Sequence, residues 1–129
     1  MPDRPADIAR ALTGVRFRLH GRSPEHGLDC IGLVALAYRR NAPTGYPLRG
    51  ITHLEMTQRL RQLGFANRRR APRRDDLMVV APGPLQLHLG VWTGSSLIHA
   101  DAGLGRVVES PGPPRWPVLS IWFSRRGRR

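Results

Sequence analysis

Three side chains in this sequence could carry nucleophilic chemistry together: Cys30, the only cysteine, and the later His88 and His99. A thiol attacks carbonyls well once an imidazole takes its proton and a further polar group orients that imidazole. Cys30 follows Asp29, a residue type that caps helices by accepting from first-turn N–H groups. At a helix N-terminus the backbone dipole favours thiolate. A lone cysteine is also commonly an inert packing group, so Cys30 alone leaves both readings open. Single histidines in strands are commonly structural too, and His20, His26 and His53 are read that way. Cys30, His88 and His99 could instead ligate zinc, but their spacing is wide and no fourth ligand accompanies them. No metal and no cofactor is therefore expected.

The elements that must position these groups can be read from periodicity. A first helix is predicted over Pro5 to Thr13, with Ile8 and Leu12 on one face and Gly14 at its end. Val15 to Leu19 alternates and reads as extended; His20 to Leu28 is a loop. The helix entered at Asp29 runs to about Arg40, where Asn41 and Pro43 stop it. Ile31, Leu33, Val34, Leu36 and Tyr38 make it apolar nearly all round, the pattern of a buried helix. Residues 41 to 52 read as a loop. A second amphipathic helix spans about Leu54 to Leu63 and closes at Gly64. The arginine-rich link from there to Asp76 shows no regular pattern.

From Leu77 the period becomes two. Leu77 to Val80 is a short strand halted by Pro82-Gly83-Pro84, and Leu87, Leu89 and Val91 alternate in the next. Thr93-Gly94-Ser95-Ser96 turns the chain into Leu97-Ile98-His99-Ala100. Arg106 to Ser110 and Val118 to Phe123 are further strands, joined by a proline-rich link at 111 to 117. Helices first and an antiparallel sheet afterwards define an α+β fold. With Trp92 opposite Leu97, Gly90 faces His99 and His88 faces Asp101. The two histidines then share one face as diagonal neighbours, with Gly90 leaving space beside them.

At 129 residues the chain is the size of one domain, 1–129, with its core at about 6–123 and a basic tail at 124–129. One cysteine excludes an internal disulfide. No apolar run reaches the length of a membrane span. The formal net charge is +12, and all 21 basic residues are arginine. Arg68-Arg69-Arg70, Arg73-Arg74 and the tail read as solvated charge. No nucleic-acid motif is present and the aromatics are not interleaved with the basic clusters, so nucleic acid is not an expected partner.

Taken together, three segments resemble the NlpC/P60 family of papain-like cysteine peptidases, which act on bacterial cell walls. They are Gly14 to Gly21 with Ser23-Pro24 and Gly27-Leu28-Asp29-Cys30-Ile31-Gly32-Leu33-Val34; Asp76-Leu77-Met78-Val79; and His88-Leu89-Gly90-Val91-Trp92 through Leu97-Ile98-His99-Ala100. The resemblance implies a helix bearing the nucleophile packed on an antiparallel sheet. It assigns Cys30 as nucleophile, His88 as general base and His99 as the residue orienting it. Asp29 matches an acidic residue that helps hold the substrate's amino group. Phe17 stands at a substrate-facing position where the family often has tyrosine. Ile31 replaces a commoner serine, and His20 and Asp75 stand where glycine is usual.

The implied reaction is hydrolysis of an amide in the peptidoglycan stem peptide, at the D-γ-glutamyl–diamino acid bond. No hydrophobic leader follows Met1-Pro2-Asp3-Arg4-Pro5, so cytoplasmic synthesis without a signal peptide is expected. The compact form resembles cell-wall peptidases of phage tails and gene transfer agents, with tail or baseplate proteins as partners. The alternatives are a cysteine amidase or acyltransferase on a non-wall substrate, or a catalytically silent tail component.

Overall fold

The computed structural model describes residues 3–42 and 47–125. Four residues expected in the 41–52 loop (43–46) and most of the expected basic tail (126–129) lie outside them. Among the described residues three helices, α1 (Pro5–Ala11), α2 (Cys30–Tyr38) and α3 (His53–Gln62), accompany eight strands. The strands are β1 (Arg22–Ser23), β2 (Gly27–Leu28), β3 (Phe65–Arg68), β4 (Leu77–Gly83), β5 (Gln86–Trp92), β6 (Ser96–Asp101), β7 (Arg106–Pro111) and β8 (Val118–Ser124). β1 and β2 pair with each other; the rest form a six-stranded antiparallel sheet in the order β3-β8-β4-β5-β6-β7. The expected mixture of helices and antiparallel sheet is present.

Alternation along the strands gives the sheet two apolar faces. Leu77, Val79, Leu89, Val91, Ile98 and Ala100 pack with α1 and α2 in the main core. Met78, Val80, Trp92 and Leu97 point the other way and carry Trp116 and Ile121. All of α2 except Leu36 is buried, as an all-round apolar helix must be. Its close approach to the preceding loop depends on Gly32, where a Cβ would stand 2.1 Å from the Gly21 carbonyl oxygen.

Several boundaries differ from the sequence reading, each for a local reason. The link after Gly64 contains a strand, β3, which pairs with β8. Only Phe65 of its four residues is buried, so backbone pairing rather than apolar alternation makes it. β4 continues through Pro82 because an irregularity in the β4–β5 ladder lies between Val80 and Gly83, where a missing N–H is tolerated. α3 begins at His53 because Thr52 forms a capping box with Glu55. α1 closes at Ala11, short of Thr13. Ser124 belongs to β8 rather than to a tail.

His20 and Asp75, at the positions where glycine was expected, adopt φ of 62° and 77°. This is the left-handed region that glycine enters most easily. Asp75 is held there by its contacts: its carboxylate accepts from the Ala6 N–H at 2.8 Å and pairs with Arg4 at 2.6 Å. No helix among the described residues is long and apolar enough to cross a membrane.

Candidate functional site

Asp29 sets up the start of α2. Its Oδ1 accepts from the Gly32 N–H at 2.8 Å, capping the helix, and from Arg22 Nη1 at 2.8 Å. Its Oδ2 accepts from the His20 N–H at 2.8 Å. This carboxylate is buried, and Arg22 supplies the balancing charge that burial demands. The next residue, Cys30, is therefore held in the first turn with its side chain directed by a rigid cap.

The Cys30 thiol is 2% exposed. Burial pushes its pKa up to about 12, reinforced by the Asp29 charge and opposed by hydrogen bonding from the Leu89 and Cys30 N–H groups and by Arg22. The sequence reading expected the helix dipole to favour thiolate. Desolvation outweighs it, and at neutral pH the resting group is the thiol.

His88 comes from β5 on the face that carries Trp92, and His99 from β6 on the face that carries Leu97. The expected Trp92–Leu97 pair is present, followed by Val91–Ile98, and the β5–β6 ladder contains only those two pairs. The expected Gly90–His99 and His88–Asp101 pairs are not in it. The Gly90 position is not open space either: a Cβ there would lie 2.6 Å from Leu97 Cδ1, so the Leu97 side chain fills it. Beyond the ladder the strands bring the two histidines into direct contact. His88 Nε2 lies 3.0 Å from His99 Nδ1, with the rings 5.0 Å apart at 89°. His99 Nε2 lies 3.2 Å from Ser110 Oγ on β7.

Burial lowers the pKa of His88 to about 4, helped by His99 and opposed by Asp101. Burial also lowers that of His99, with Asp101 opposing and Arg115 assisting. Both rings are thus neutral at neutral pH.

Cys30, Asp29, Phe17 and His88 all line one cavity of about 660 Å³. His99 stands behind His88, away from the cavity. The rest of the wall includes Ile31, Leu48, Arg49, Asp101, Arg115 and Trp116. Sequence reasoning did not single out Trp116, Ser110 or Arg22, which act through contacts distant in the chain. Only the proline-rich surroundings of Trp116 marked its segment at all. The histidines set aside are engaged elsewhere: His26 Nδ1 lies 2.9 Å from Ser23 Oγ and His53 Nε2 lies 2.8 Å from Ser120 Oγ. His20 borders the cavity and donates its backbone N–H to Asp29. Among the described residues no group of three or more His, Cys, Asp or Glu side chains could hold a metal ion.

A larger cleft of about 750 Å³ surrounds Tyr38 at the far end of α2. Several of its charges pair with one another or with nearby groups: Arg68 with Asp76 at 2.6 Å, and Arg74 with Asp75 at 3.2 Å and with the neighbouring Asp7 at 2.5 Å. The cavity holding Cys30 is the one with reactive groups.

Neither a protein-family model nor a curated protein sequence matches the chain. Among solved structures, NlpC1 from Trichomonas vaginalis is similar with a TM-score of 0.69 at 19% identity. The likeness covers 95% of this chain and 44% of that one, so this chain spans less than half the length of its structural neighbour. The helices and antiparallel sheet described above make up an NlpC-like fold.

Proposed function

We propose that this chain is a cysteine peptidase of the NlpC/P60 type, with a papain-like arrangement of Cys30, His88 and His99, acting on peptidoglycan stem peptides. The observation that carries the reading is the linked set of groups at one cavity. A thiol at a helix start shares the cavity with an imidazole whose far nitrogen is bonded to a second imidazole.

The polarity of the relay follows from that bond. His88 Nε2 is occupied by His99, which leaves Nδ1 as the base. For Nδ1 to accept a proton, Nε2 carries the hydrogen and donates it to His99 Nδ1. His99 then donates through Nε2 to Ser110 Oγ. Substrate binding brings the amide carbonyl carbon to Sγ; the thiol proton moves to His88 Nδ1 as the C–S bond forms. The oxyanion is met by first-turn N–H groups of α2, with the Cys30 N–H already directed at the thiol. The C–N bond breaks as His88 returns the proton to the leaving amine. Water, deprotonated by His88, cleaves the thioester and restores the thiol.

Asp29 and Phe17 border the cavity on the α2 side, where a stem peptide's amino group and apolar atoms would rest. The D-γ-glutamyl–diamino acid bond is the proposed target. Delivery on a phage-tail-like or gene-transfer particle completes the proposal. Finding the protein free in the periplasm and absent from particles would remove that part alone.

Digestion of purified diamino-acid-type peptidoglycan by the wild type and by Cys30→Ala, read by mass spectrometry, tests the reaction. Stem-peptide fragments from the wild type only are expected. Fragments from neither, with both proteins folded, overturn the peptidase reading.

A further inference from the structure

We propose that Trp116 is a positioning residue for the His88–His99 pair, clamping both imidazoles and keeping water from the hydrogen bond between them. The proposal rests on the peptidase reading for its catalytic consequence, while its structural half stands on ring geometry. The Trp116 ring centroid lies 5.5 Å from that of His88 at 90° and 5.2 Å from that of His99 at 79°. With the 89° between the imidazoles, three aromatic rings meet nearly at right angles, an edge-to-face arrangement that each member holds for the others. Rotation of either imidazole about its χ2 would drive it into the indole or break the 3.0 Å bond.

Trp116 is itself held from three sides. Its indole packs on the outer cluster of Met78, Val80, Trp92 and Leu97, and Val80 is the cross-strand partner of His88. The Arg115 guanidinium sits 4.6 Å over the indole centroid and reaches 3.8 Å to Asp101, two residues beyond His99 on β6. The link that carries it, Pro111-Gly112-Pro113-Pro114-Arg115-Trp116-Pro117, contains four prolines that limit its freedom before folding. Its far end is fixed where the Ala81 N–H donates to the Pro117 carbonyl at 3.0 Å. A link built only to join β7 to β8 would need none of these contacts. The charged and titratable groups facing the pair are Cys30 from α2, Asp101 from β6 and Arg115 from the link, and burial beneath Trp116 opposes protonation of both rings.

The test uses the full chain with ¹⁵N-labelled histidine, comparing the wild type with Trp116→Ala, Trp116→Leu and Trp116→Phe. NMR reads the tautomer and titration midpoint of His88, and stem-peptide hydrolysis gives kcat and KM. In the Ala and Leu variants the His88 midpoint is expected to rise toward 6.5 by about one unit or more, with the Nε2–H tautomer no longer dominant. kcat is expected to fall about tenfold or more with KM nearly unchanged, the signature of lost orientation. The Phe variant retains most of both. Should Trp116→Ala destabilise the fold, the bulkier Leu variant carries the same test. An unchanged midpoint and tautomer in the Ala and Leu variants overturns the proposal, as does a rise in KM with kcat intact, which would make Trp116 a wall of the substrate site. A wild type that cleaves no peptidoglycan, together with the expected NMR changes, would retire the peptidase reading and leave the clamp standing.

Discussion

A cysteine that is 2% exposed and whose pKa burial pushes up to about 12 behaves differently from a preformed thiolate–imidazolium pair. The low pKa of His88, about 4, points the same way: neither partner is charged at rest. Proton transfer must therefore accompany attack, after substrate has entered the cavity. Alkylation of Cys30 by iodoacetamide provides a direct check. In the free protein the reaction should be slow at pH 7 and should climb about tenfold per pH unit through pH 9, following the thiolate fraction. A fast, pH-independent rate at neutral pH would mean that the ion pair is already formed. Desolvation is the largest influence on the thiol; the Asp29 charge adds to it, and its partner Arg22 opposes it more weakly.

The elements place these groups through close approaches as much as through apolar burial. α2 can bring Cys30 to the cavity because Gly32 lets the helix start press on the loop carbonyl of Gly21. Gly32→Ala puts a Cβ 2.1 Å from backbone that cannot rotate away. The variant should lose about 3 kcal/mol of stability in urea unfolding, at the upper end of ordinary overpacking, and lose hydrolysis with it. A loss below about 1 kcal/mol would mean that the loop yields freely. Much at this scale is legible in the sequence. Asp29 and the apolar run after it define α2, and the alternation of Leu87, Leu89 and Val91 with the following turn defines the β5–β6 hairpin down to its Trp92–Leu97 pair. β3 is not legible, since a four-residue edge strand with one buried side chain carries almost no periodic signal. The closeness of His88 and His99 on one face is legible from the same alternation, whereas the parting of β5 and β6 beyond Val91 is invisible locally. Trp116 and Ser110 reach the site only through tertiary packing, which no spacing rule encodes.

On the scale of the whole molecule the neutral, buried imidazoles make stability depend on pH in a definite direction. His88 has an ordinary value of 6.5 when unfolded and about 4 when folded. Between those values the unfolded chain binds the extra proton, so stability falls as pH drops from 6.5 toward 4 and is untouched above 6.5. The full displacement corresponds to roughly 3 kcal/mol, a large share of a small domain's stability. His99, lowered by the same cause, steepens the same window. The depressed carboxyl of Glu109, held down chiefly by its hydrogen bond from Arg10, acts in a different range. Its contribution is complete above about 4.5 and is lost only as pH falls further, through its folded value. Acidification should therefore weaken the fold in two stages, histidines first and carboxylates after. Urea unfolding at intervals from about pH 7.5 to about pH 2.5 would separate them: the wild type should lose stability steadily below about 6.5, while His88→Gln should show a distinctly shallower slope between about 6.5 and 4 and the same further loss below about 4.5. Equal slopes in the two proteins would mean that His88 takes up its proton in the folded state, as an open and solvated imidazole would.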